Sequence, residues 1–83
     1  MTETEIIFEN KADIRVQAQI FAESILVSSC MADPGATQTL SVGPAHYDIY
    51  LKNGITGWRV AYKLNSEAKS LTLSLKNGRY IIT

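Results

Sequence analysis

The stretch Tyr47-Asp48-Ile49-Tyr50-Leu51-Lys52-Asn53-Gly54-Ile55-Thr56-Gly57-Trp58-Arg59-Val60-Ala61-Tyr62 is the most informative in this 83-residue chain. Apolar side chains at 47, 49 and 51 alternate with polar or amphipathic ones at 48, 50 and 52, the period of a half-buried strand. Asn53-Gly54 suits a two-residue type I′ turn, because both residues tolerate positive φ. A turn of that kind fixes a register. Ile49 then faces Trp58, Tyr47 faces Val60, Asp48 faces Arg59, and Tyr50 covers Gly57. Tyr47, Ile49, Leu51, Trp58, Val60 and Tyr62 are thereby expected on the core side. The opposite side gains a charge pair and an aromatic over a glycine, both known cross-strand stabilisers.

The same grammar extends outward. Asn77-Gly78 predicts a second hairpin, with Leu75 facing Tyr80, Leu73 facing Ile82 and Ser74 facing Ile81. Ile14, Val16, Ala18 and Ile20 alternate with polar residues, and residues 4–8 and 37–42 read as shorter strands. Turn signals at Asn10-Lys11, Asp33-Pro34-Gly35, Gly43-Pro44 and Asn65-Ser66 punctuate the runs. The pentads Tyr50–Gly54 and Ser74–Gly78 echo each other, which reads as one turn chemistry used twice rather than a repeat architecture. The fold class expected is all-β: a single antiparallel β-sandwich or barrel over residues 1–83, with about seven to eight short strands. The alternative is α+β. Ile14, Ala18, Phe21, Ala22, Ile25 and Leu26 also fall at helical spacing, so one helix near 13–27 could pack on an antiparallel sheet. Val16, Ile20 and Val27 would point off that stripe, which favours strand.

Eight basic and eight acidic residues cancel, so no global charge drives the chain toward nucleic acid. The halves differ, however: residues 1–41 sum to −4 and residues 42–83 to +4. Interleaving of the halves in the fold is expected to mix these charges; segregation would leave a dipolar surface. Cys30 is the only cysteine, so no internal disulfide and no cysteine-based zinc cluster can form. The acidic opening residues lack the basic and apolar regions of a secretory signal, and no apolar run is long enough to span a membrane. With a lone thiol these features point to a cytoplasmic protein, although export without a leader stays open.

Catalytic chemistry is thinly supplied. His46 is the only histidine. Asp48 could orient it, with Ser28 or Ser41 as nucleophile, but no Gly-x-Ser-x-Gly elbow exists and a solvated strand histidine is the simpler reading. Cys30 has no basic neighbour to lower its pKa. Glu3, Glu5 and Glu9 form an acidic stripe whose reading is a solvated strand face, and no metal, cofactor or phosphate-cradle motif occurs. The expectation is therefore a binding module rather than an enzyme. Its contact would be to a protein, or to itself as a homo-oligomer, through a sheet face or edge. His46, Asp48, Tyr50, Lys52, Arg59 and Lys63 are the expected contact residues, with Ile7 and Ile81 at an edge. Single-stranded nucleic acid is the alternative partner, bound on a basic face of Lys52, Arg59, Lys63, Lys76 and Arg79 around Tyr50. A small hydrolase using His46 is the third reading. Trp58, Tyr47 and Tyr62 could form a carbohydrate platform, but their expected side assigns them to the core.

Overall fold

The alternating patterns become eight strands in the computed structural model, which describes residues 5–41 and 46–83. They are β1 Glu5–Lys11, β2 Val16–Ala22, β3 Ile25–Ala32, β4 Thr37–Ser41, β5 Tyr47–Asn53, β6 Arg59–Ser66, β7 Ser70–Lys76 and β8 Arg79–Ile82. Two four-stranded sheets form, ordered β4-β1-β7-β8 and β3-β2-β5-β6. The described residues contain no helix, and 13–27 runs from the β1–β2 connection through β2 and a turn into β3. Each sheet buries one face against the other, as alternation requires. Ile6, Phe8, Leu40, Leu71 and Leu73 come from the first sheet, and Val16, Ala18, Ile20, Tyr47, Ile49 and Leu51 from the second. One pair departs from antiparallel order: β1 runs parallel to β7. The expected turn at Gly43-Pro44 and the expected acidic residue Glu3 lie outside the described residues.

The Asn77-Gly78 hairpin has the expected register, Leu75 opposite Tyr80 and Leu73 opposite Ile82. Both turn residues take positive φ, 52° and 77°, as type I′ demands. The central hairpin does not. Lys52 pairs with Arg59, Leu51 with Ala61, Tyr50 with Tyr62 and Ile49 with Lys63. Neither Asn53 nor Gly54 has positive φ; Gly57 does, at 78°. The Asn53 side chain instead accepts the N–H groups of Ile55 and Thr56 at 2.8 and 3.1 Å, opening an Asx-type loop. Gly54 N–H donates to Arg15 O at 2.7 Å, which ties the loop to the β1–β2 connection. Trp58 is consequently 77% exposed and Tyr62 54% exposed, so neither belongs to the core. Val60, beside the register shift, is half-buried against it.

A turn without glycine joins β2 to β3. Glu23 and Ser24 both take positive φ, 52° and 67°, and Ala22 pairs with Ile25 across them. Asn10 is not a turn residue but the last inward side chain of β1, fully buried. Its amide donates to Ile14 O and Ala32 O at 2.9 Å and its carbonyl accepts Ala12 N–H at 3.0 Å. One side chain thus joins the two sheets at the end where β1 crosses over to β2.

Candidate functional site

Register and pleat place the expected contact residues on two sides of one sheet. On the outer face of β3-β2-β5-β6, Gln17, Gln19 and Phe21 of β2 lie beside Lys52, Tyr50 and Asp48 of β5. Tyr62 of β6 completes the row opposite Tyr50. The rings engage one another. Phe21 meets Tyr50 edge-on at 5.5 Å between centroids, Tyr50 and Tyr62 stack at 6.1 Å, and the Arg59 guanidinium lies 4.9 Å from the Tyr62 centroid. Such pairs stiffen the surface and fix the side chains before any ligand arrives. In the sequence Phe21 stands out only at helical spacing, and Tyr62 is assigned to the core. The signal for both was present in their parity with Tyr50 once the register is known.

The expected Asp48–Arg59 pair is not made. Asp48 Oδ1 accepts Asn65 N–H at 2.8 Å, and Arg59 lies beside Lys52 instead. The longer loop shifts β6 along its partner relative to the register of a two-residue turn. Lys63 lies opposite Ile49 and so on the inner side, at the open edge of the sheet. There it lines a groove of about 550 Å³ between β6 and β8 with Ala61, Tyr80 and Ile82. Lys76 and Arg79 belong to the other sheet, so the five expected cations do not share one face.

His46 and Asp48 line a second cleft of about 500 Å³ with Phe21, Glu23, Tyr47 and Asn65. The partner of His46 is Glu67, at 3.1 Å from Nδ1, rather than Asp48. Tyr47, at the base of this cleft, donates its hydroxyl proton to Ala68 O. Cys30 is half-buried beneath the sheet edge, and burial pushes its thiol pKa up against a smaller opposing effect of a backbone hydrogen bond at Ala18. That is the environment of an unreactive thiol. Among the described residues, no three His, Cys, Asp or Glu side chains cluster as metal ligands would.

Comparison with family models, with curated proteins and with solved structures finds no match to this chain.

Proposed function

We propose that this chain is a non-catalytic binding module that docks protein through the outer face of β3-β2-β5-β6, with a second copy of itself as the partner. The observation that carries this reading is the outward order Asp48, Tyr50, Lys52 along β5, flanked by the Phe21–Tyr50–Tyr62–Arg59 row. That order is self-complementary. A two-fold axis through Tyr50, lying in the contact plane and across the strands, brings Asp48 of each copy to Lys52 of the other. Fixed tyrosines and arginine are the residue types that anchor protein contacts. The molecule measures 39 × 20 × 19 Å, so one long face offers a footprint on the order of the ~800 Å² per partner of a standard interface.

The ring contacts favour protein over single-stranded nucleic acid. An incoming base would have to displace Tyr50 or Arg59 from Tyr62 before stacking. Catalysis is disfavoured because His46 and Asp48 are each engaged by other groups. A cytoplasmic setting fits a lone thiol. Light scattering over a range of concentrations tests the pairing. Asp48→Lys and Lys52→Asp should each weaken the dimer by roughly tenfold or more, and the double swap should restore it. A monomer at every concentration, with far-UV circular dichroism confirming the fold, removes self-pairing.

A further inference from the structure

The strand directions bring one set of connections to one end of the sandwich: residues 12–15, 33–36, 54–58 and the turn at 77–78. Six of the eight cations gather there: Lys11, Arg15, Lys52, Arg59, Lys76 and Arg79. The carboxylates at this end, among the described residues, are Asp13 and Asp33, with Glu9 one pleat down and 4.0 Å from Lys11. Asp33 is already paired with Arg15 at 3.2 Å, and Asp13 accepts the Tyr80 hydroxyl at 3.0 Å. The opposite end holds Glu5, Glu23, Asp48 and Glu67 against Lys69. The sequence halves do not interleave: β4-β1 and β3-β2 of the first half lie together at one flank of the two sheets and β7-β8 and β5-β6 of the second half at the other, and the charges sort along the strand direction as well.

The basic end also carries the two most exposed large apolar side chains among the described residues, Ile55 at 85% and Trp58 at 77%. Their loop is held by its own hydrogen bonds. Asn53 N–H donates to Trp58 O at 2.7 Å, Gly57 N–H to Asn53 O at 2.9 Å, and Trp58 N–H to Thr56 Oγ1 at 3.2 Å. Added to the Asn53 side-chain bonds and the Gly54–Arg15 tie, these hold the loop in one shape while it presents Ile55 and Trp58 to water. The loop is a projecting apolar tip among cations.

We infer that this end docks on an anionic lipid bilayer, with Ile55 and Trp58 seated in the interfacial zone and the surrounding lysines and arginines on the headgroups. Tryptophan prefers that zone, and basic residues close to an anionic surface add attraction that salt screens. A nucleic acid would use the cations but has no general use for a protruding isoleucine, and an acidic protein would need a recess shaped to take Ile55 and Trp58 together, which a bilayer does not. The face pairing occupies Lys52 and Arg59 but not the 54–58 tip, nor Lys11, Lys76 and Arg79, which carry the bilayer contact by themselves.

The test mixes the full chain with vesicles of phosphatidylcholine doped with phosphatidylserine, and with vesicles of phosphatidylcholine alone. Sedimentation with the anionic vesicles is expected, with a shift of Trp58 emission to shorter wavelength and release by added salt. Ile55→Ser, Trp58→Ser and the pair Lys76→Glu with Arg79→Glu should each weaken sedimentation roughly tenfold or more. Tyr62→Ser, on the outer face, should leave it unchanged while disturbing self-pairing. Circular dichroism establishes that each variant is folded. Three outcomes overturn the inference: no sedimentation, equal sedimentation with neutral vesicles, or loss only on charge reversal with equal binding to an oligonucleotide.

Discussion

Asn10 shows how one side chain can set a connection between sheets. A buried amide is tolerated when its donors and acceptor are all used, and the three bonds of Asn10 use them. Asn10→Ala would leave Ala12 N–H and the carbonyls of Ile14 and Ala32 short of a partner. Each orphaned buried group costs about 1–3 kcal/mol, so a loss of about 3 kcal/mol or more is expected in urea unfolding. A domain of this size holds only on the order of 5–10 kcal/mol in total. A loss under about 1 kcal/mol would mean that water replaces the amide. The sequence signalled Asn10 only as a polar residue near a turn, because its partners are contributed by β3 and by the connection after β1.

At the scale of elements, the dipeptide Asn-Gly occurs twice and does two different things. At 77–78 it makes the I′ turn that local propensity favours. At 53–54 a tertiary hydrogen bond to Arg15 O and the Asn53 side chain hold the chain in a longer loop. The two glycines are needed for different reasons. A Cβ on Gly78 would meet nothing within 4 Å, but φ is 77°. A Cβ on Gly54 would lie 3.2 Å from Arg15 Cγ and Met31 Sδ, with no positive φ. Gly78→Ala should cost about 1 kcal/mol, and Gly78→Asn should recover much of it, since asparagine tolerates the left-handed region. Gly54→Ala should also destabilise, but Gly54→Asn should be worse, because bulk rather than conformation is the obstacle. Thermal unfolding of the four variants reads the contrast; rescue by asparagine at position 54 would refute the crowding argument. The turn at Glu23-Ser24 carried no sequence signal at all. Pairing of β2 with β3 imposes positive φ on residues that do not favour it.

For the whole molecule, a single core between two sheets makes unfolding cooperative. Trp58, the only tryptophan, sits outside that core. Native emission should therefore be nearly as red as that of the denatured chain, and urea should melt the circular dichroism while tryptophan fluorescence barely shifts. A strongly blue native spectrum would place Trp58 back in an apolar setting. The end-to-end sorting of charge belongs to this scale as well. It follows from strand direction, which puts Lys52 and Lys76 at the tops of upward strands, and Arg59 and Arg79 at the tops of downward ones. A count over sequence halves reports the difference between the two flanks, β4-β1 and β3-β2 against β7-β8 and β5-β6, but not the one from end to end.

Local patterning along the chain was enough for the all-β class, the inward residues Val16, Ala18, Ile20, Ile49, Leu51 and Leu73, and the 77–78 hairpin. Each of these rests on alternation or turn chemistry within a few neighbours, where local sterics and burial agree. Tertiary structure alone decided that Trp58 and Tyr62 face water, that Phe21, Tyr50, Tyr62 and Arg59 form a row, and that Lys63 lies on the other side. A hairpin register can change through one contact from a distant connection, here Arg15 O, and every side chain beyond the turn then finds a new neighbour.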